Sequence, residues 1–222
     1  CVTATASNDV KTDCCKILNL NRNYAFFRSQ ANRSNLLYEV RKKGEKKQVI
    51  DEMAAFIYDK HLRSPGIIYT LSKKDADDVA NELYERGIKA ESYHGDVSTA
   101  SKTAIQKRWM QNKTQVVVAT IAFGLGINKP DVRFVLHHSL SKSLENYYQE
   151  CGRGGRDGEK AFAVSILAKK DIDHLRGKLI DAFPEKSARK IESFKKKYGE
   201  DRVDVEGRIF GGLDGYKQAI NE

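Results

Sequence analysis

Long apolar runs are missing from this sequence of 222 residues. No stretch reaches about 18 consecutive apolar residues, so nothing in it reads as a membrane-spanning helix. The first residues, Cys1 to Leu20, offer neither a basic start nor the apolar core of a signal peptide. An initiator methionine is also lacking, and the opening Cys1-Val2-Thr3 leads us to expect a piece of a longer protein. Cysteine is scarce: Cys1, Cys14, Cys15 and Cys151. No two of them stand at C-x-x-C spacing, and no histidine pair lies nearby at ligand spacing, so the sequence expects no metal site. Free thiols in that arrangement fit a reducing compartment. Internal repeats are absent as well.

What is abundant is positive charge. Lys and Arg number 39 against 30 Asp and Glu, a formal net charge of +9. Such a balance suits a polyanionic partner, but it equally describes a solvated basic surface, and charge alone does not separate the two. Hydrophobic residues make up 40%, enough for one sizeable core, while 31% of residues are charged.

Periodicity organises the chain. Val10 to Leu20 has helical spacing, Asn35 to Val40 reads as a strand, and Arg41 to Lys47 is a basic break. Val49 to Leu62 is a helix with Val49, Met53, Phe56 and Ile57 on one face. From Pro65 a regular alternation begins. Strands are expected at Gly66–Leu71, Ala90–His94, Gln115–Thr120, Arg133–His138 and Ala161–Leu167. Helices are expected at Lys73–Arg86, which Gly87 ends, at Thr99–Gln111 and at Ser143–Cys151. Short apolar strands alternating with longer helices predict βαβ units on a parallel sheet, with chemistry on the loops after the strands' carboxyl ends. Beyond Ala168 the alternation stops. Asp171–Phe183 and the basic Ser187–Tyr198 read as helices, and residues 200–222 show no pattern that earns an assignment.

Two segments carry chemistry. In Gln149-Glu150-Cys151-Gly152-Arg153-Gly154-Gly155-Arg156-Asp157-Gly158 a helix ends in a glycine-rich turn presenting two arginines three residues apart. Glycine permits close backbone approach, and the guanidinium fork pairs with phosphate oxygens while staying charged at any relevant pH. In Val116 to Arg133 a buried-type strand runs into a turn with Thr120, Gly124 and Gly126. Backbone N–H groups and a threonine hydroxyl there could hold a phosphate. Either segment alone is also compatible with an ordinary turn. Trp109 reads as a packing residue, and His94, His137 and His138 as structural strand-end residues.

Taken in order, Gly66-Ile67-Ile68-Tyr69-Thr70-Leu71-Ser72, Tyr93-His94-Gly95, the Ala119 to Arg133 segment and Tyr147 to Gly158 resemble motifs IV, V and VI of superfamily 2 helicases. The wording is most similar to the RecQ family. Val2-Thr3-Ala4-Thr5-Ala6 resembles its motif III, and His137 to Tyr148 looks like the eukaryotic branch. The resemblance covers roughly residues 1 to 180. It implies an α/β fold, a RecA-like parallel sheet of P-loop NTPase type flanked by helices, with a helical C-terminal tail. Residues 1–47 would be the end of a first motor lobe and a linker, 48–170 the second lobe, and 171–222 an extension. It further implies an ATP-dependent DNA helicase acting on single strands and duplex junctions, in the nucleus. ATP with Mg²⁺ would be held mainly by the upstream lobe, which lacks a counterpart in this chain.

Residue by residue, Arg156 matches the family's arginine finger, Arg153 its companion and Gln149 the glutamine linking the site to the lobe interface. Gly126 and Asn128 match nucleotide-facing positions of motif V. Ser72 and Lys74 match motif IV contacts to the DNA backbone, and Thr120 a motif V phosphate contact. Asn128 departs from the family's usual Asp, and Cys151 and Gly154 from its usual Ser or Thr and Ala. The sequence has no G-x-x-x-x-G-K-[ST] phosphate loop and no acidic Mg²⁺ box. No cysteine follows Cys151, so the family's zinc module is not expected within these residues. Two rival readings stay open: a DEAD-box-type RNA helicase lobe, and a degenerate lobe that only binds nucleic acid or protein.

Overall fold

The computed structural model describes residues 8–20, 24–27, 33–121, 123–124, 127–168 and 171. The chain divides into two compact units, Cys1–Ser34 and Asn35–Glu222. In the first, helix α1 spans Asn8–Ile17, and the Lys11 ammonium lies over the Phe26 ring at 4.1 Å.

The second unit is built on six strands: β1 (Leu36–Lys42), β2 (Gly66–Tyr69), β3 (Ala90–Tyr93), β4 (Val116–Ala119), β5 (Phe134–His137) and β6 (Ala161–Leu167). All pair in parallel, in the order β1-β6-β5-β2-β4-β3. Four helices connect them: α2 (Lys46–His61), α3 (Lys73–Glu85), α4 (Thr99–Met110) and α5 (Leu144–Cys151). The predicted α/β architecture is therefore present. Strand β1 lies ahead of residue 48, where the sequence reading placed a linker, and it pairs with β6 along its whole length. The readings for residues 172–198 and the C-terminal tail fall outside the described residues.

The central strands β2, β4 and β5 are buried at every position because both faces of the sheet are covered. On one face α2 and α3 bury Val49, Met53, Ile57, Val79 and Leu83 against Ile68, Val118, Phe134 and Leu136. On the other, α4 buries Ile105 and Trp109 against Ile67, Val117 and Val135. Trp109 is fully buried, and its indole donates to the Gly66 carbonyl at 3.2 Å, which bears out a packing role. A side chain on Gly66 would overlap the Phe134 ring, so the backbone must be bare there for the sheet to close.

Helix ends follow local chemistry. The Ser72 hydroxyl accepts from the Asp75 amide at 3.0 Å and caps α3. Gly87, at φ +81°, ends it: its N–H donates to the Tyr84 carbonyl at 2.8 Å, and the Ile88 N–H to Leu83 at 3.0 Å. That is a Schellman turn, which a residue with a side chain adopts only under strain. Ser98 and Ser143 cap α4 and α5 in the same way as Ser72.

Candidate active site and nucleic-acid interface

The carboxyl ends of β2, β4 and β5 surround a cleft of about 440 Å³. Its wall includes Thr70, Ser72, Lys73, Thr120, Ser141 and Glu150. This is the place where an open parallel sheet concentrates loop residues. Two sequence candidates, Ser72 and Thr120, meet there. Lys74 is exposed one position further along α3, while Lys73 lines the cleft and pairs with Asp96 at 2.5 Å. The Ser72 hydroxyl already serves α3: it also donates to the Asp75 carboxylate at 2.5 Å. A phosphate there would meet the cap serine and the amino end of a helix.

The arginine turn lies elsewhere. Helix α5 runs back from the cleft, and the Gly155 N–H donates to the carbonyl of Val132, just before β5, at 2.8 Å. The turn is thereby pinned toward the strands' amino ends. The loops after the carboxyl ends of β2 and β4 thus hold Ser72 and Thr120, whereas the arginines arrive on the turn that ends α5. A return helix of parallel topology must deliver its last residues to the opposite end of the sheet.

Within the turn, each arginine is held by backbone of the segment that follows Thr120. Arg153 donates through Nη1 to the Gly124 carbonyl at 2.5 Å. A Cβ on Gly124 would overlap that guanidinium, so the close approach requires glycine. The Arg153 Nε is buried without a hydrogen-bond partner. Arg156 is exposed and donates to the Ile127 carbonyl at 3.0 Å and to Asn128 Oδ1 at 3.2 Å. Gln149 is exposed on α5, one residue ahead of the buried Glu150. Gly126 lies outside the described residues. The structure thus brings Arg156 and Asn128 together with Arg153 on the same turn, and none of the three lines the cleft that holds Ser72 and Thr120.

Sequence reasoning missed three contributors. Asn35, at the entry to β1, donates through Nδ2 to the carbonyls of Gly155 and Glu159, each at 2.8 Å. It clamps the turn from a residue more than a hundred positions away, a contact that no local pattern encodes. Tyr69 donates to the Phe123 carbonyl at 3.0 Å and lies within hydrogen-bonding reach of Arg153. Burial pushes the Tyr69 phenol well above its ordinary range, so it stays a neutral donor. Glu150 accepts from His137 Nε2 at 3.0 Å and from the Ser141 hydroxyl.

Cys151 is buried between these groups, and burial pushes its thiol up to about 12. Its thiolate is suppressed, so the residue sits there as a small buried side chain. Among the described residues, no cluster of three or more His, Cys, Asp or Glu could hold a metal ion. No described helix is long and apolar enough to cross a membrane.

With this geometry in hand, known proteins supply the frame. Residues 45–158 match the helicase conserved C-terminal domain. An ATP-dependent DNA helicase Q-like 2 of Arabidopsis thaliana is 46% identical over 173 residues, which is 77% of this chain and 24% of that protein. An ATP-dependent DNA helicase Q1 of Pongo abelii is 47% identical over 172 residues, again 77% of this chain and 26% of that protein. The chain therefore spans about a quarter of the length of these relatives. In fold it is similar to S. cerevisiae Dbp5 bound to RNA and ADP BeF3, at TM-score 0.65 and 20% identity, covering 89% of this chain and 54% of that one. A DEAD box protein from Methanococcus jannaschii superposes at TM-score 0.58 and 24% identity, covering 78% and 46%. The matched domain, the parallel sheet and the sequence relatives agree: this chain belongs to the helicase conserved C-terminal domain family, and its sequence likeness is to the RecQ-like branch.

Proposed function

We propose that this chain is the second motor lobe of a RecQ-like, ATP-dependent DNA helicase. Its arginines would complete a nucleotide site on a neighbouring lobe, and its cleft would hold the DNA backbone. The observation that carries this reading is the bracing of Arg153 and Arg156 by the carbonyls of Gly124 and Ile127. A binding module has no use for two guanidinium groups held in fixed places on a glycine turn, whereas a site that must meet a phosphate in register does.

The residues fit ATP in the way that reading needs. Arg156 is at the surface beside the exposed Asn128, and Arg153 carries a buried Nε without a partner. ATP, with Mg²⁺ held mainly by the other lobe, supplies the phosphoryl group whose transfer releases free energy. Arg156 would present its donors to the terminal phosphate, and Arg153, half-buried, would hold the turn's position and add charge. Gln149, on the exposed face of α5, would face the lobe interface. Gly126 would allow the nucleotide-side loop to approach closely. Ser72, Lys74 and Thr120 would contact successive backbone phosphates, with Lys73 adding charge at the cleft wall. Such contacts set affinity and track without reading sequence.

The test is DNA-stimulated ATP hydrolysis by the two-lobe protein, comparing wild type with Arg156→Ala. An arginine finger is typically worth ~10³–10⁵ in rate. Turnover should therefore fall at least about a hundredfold, about 2.7 kcal/mol of barrier, while DNA binding persists. Equal turnover in the two proteins would refute the motor reading in favour of a binding module. A clear preference for single-stranded RNA over DNA of the same sequence would move the substrate to RNA, through 2′-hydroxyl contacts.

A further inference from the structure

Helix α5 begins beside the cleft and ends in the arginine turn, so it is placed to join the two halves of the site. Its last turn carries Glu150, 6% exposed. A carboxylate there loses hydration and also faces the negative end of the helix dipole. Two donors hold it: His137 Nε2 at 3.0 Å and the Ser141 hydroxyl, both on Oε2. The Ser141 hydroxyl donates to Glu150, and His137 Nε2 shares the second hydrogen bond with the same oxygen.

Two features make this arrangement more than packing. Ser141 and Glu150 both line the cleft with Ser72 and Thr120. A serine hydroxyl has a single proton to donate. Ser141 can give it to Glu150 or to a phosphate oxygen in the cleft, but not to both. On the other side, the His137 ring stacks on Tyr69, with centroids 5.5 Å apart and planes 23° apart. Tyr69 donates to the Phe123 carbonyl, and the adjoining Gly124 carbonyl receives Arg153. Glu150 is also only three residues ahead of Arg153 along the chain.

We propose that Glu150 is a positioning residue that relays occupancy of the cleft to Arg153. A backbone phosphate that draws the Ser141 hydrogen bond to itself leaves Glu150 held by His137, and the last turn of α5 then readjusts with the arginine turn attached to it. This inference rests on the reading of the cleft as a nucleic-acid-backbone site.

The experiment is amide hydrogen exchange on the full chain with and without oligothymidylate, in wild type, Glu150→Gln and Ser141→Ala. In wild type the oligonucleotide should slow exchange at residues 70–73 and 120–121 and also alter it at residues 152–156. In both variants the first response should persist and the second should be lost. An unchanged response of residues 152–156 in both variants overturns the relay while leaving the cleft reading intact. Absence of any response at residues 70–73 and 120–121 in wild type overturns the cleft reading and the relay with it. Should Glu150→Gln fail to fold, Ser141→Ala decides, since it removes only the donor on the cleft side.

Discussion

Replacing Asn35 by alanine isolates the clamp on the arginine turn. The change removes two hydrogen bonds from Nδ2, to Gly155 and Glu159, but keeps the backbone bond in which the Ala161 N–H donates to the Asn35 carbonyl at 3.0 Å. A net intramolecular hydrogen bond is worth about 0.5–1.5 kcal/mol, and a buried acceptor left without a partner costs toward the upper end. The Gly155 carbonyl is partly buried, whereas the Glu159 carbonyl is exposed enough for water to replace the lost donor. The sum is about 1–2 kcal/mol, or roughly 3–6 °C in Tm for a domain of this size. Asn35→Asp is the sharper arm. A carboxylate has no donor and would face two carbonyl oxygens, so at neutral pH it should be no more stable than the alanine variant. Part of that loss should return in acid, when protonation restores one O–H. Urea unfolding followed by the fluorescence of the single, buried Trp109 measures all three proteins. A loss below about 0.3 kcal/mol for Asn35→Ala, or an aspartate variant more stable than the alanine one, would refute the clamp.

Three further outcomes are expected. His61 sits among Phe56, Phe134 and Phe162, with ring centroids 4.8, 5.2 and 5.1 Å away, and burial lowers it to about 4 from its ordinary 6.5. The unfolded chain therefore takes up the proton first: stability is full above about pH 6.5 and falls as pH drops toward 4. His61→Leu should remove about 1–3 kcal/mol of that acid loss, seen as closer urea midpoints at pH 7 and pH 5; an unchanged difference would contradict the assignment. Gly124→Ala should push the Arg153 guanidinium off the Gly124 carbonyl and cost about one hydrogen bond, about 0.5–1.5 kcal/mol, so a chemical-denaturation midpoint equal to wild type would argue against the close contact. Maleimide labelling at mild alkaline pH should modify Cys14 and Cys15, which are half-buried, well before Cys151; early mass-spectrometric labelling of Cys151 would show that its burial has been misjudged.

Much of the fold was legible because it is written in local patterns. The apolar runs at Ile67–Tyr69, Val116–Ala119 and Phe134–His137 announce buried parallel strands, and Ala76, Val79, Ala80 and Leu83 recur at the helical period. Serine caps and Gly87 mark helix ends for reasons internal to a few residues. The glycine-arginine turn was legible as a turn, since its glycines mark the end of α5, whereas its task was not, because the segment alone also suits an ordinary turn.

The sequence alone therefore determined the strands, the helices and which residues could carry charge to a ligand. Only the tertiary structure decided where those residues stand. Sequence spacing carries no record of the sheet order, so it could not say that Leu36–Lys42 joins the edge at β6. Nor could it say that Asn35 bonds across to Gly155, or that Tyr69 and His137, at the ends of neighbouring strands, stack on each other. Side chains on adjacent parallel strands meet because a crossover helix brings the chain back in register. That return is fixed by the burial of two whole sheet faces, a property of all the strands together and of none singly.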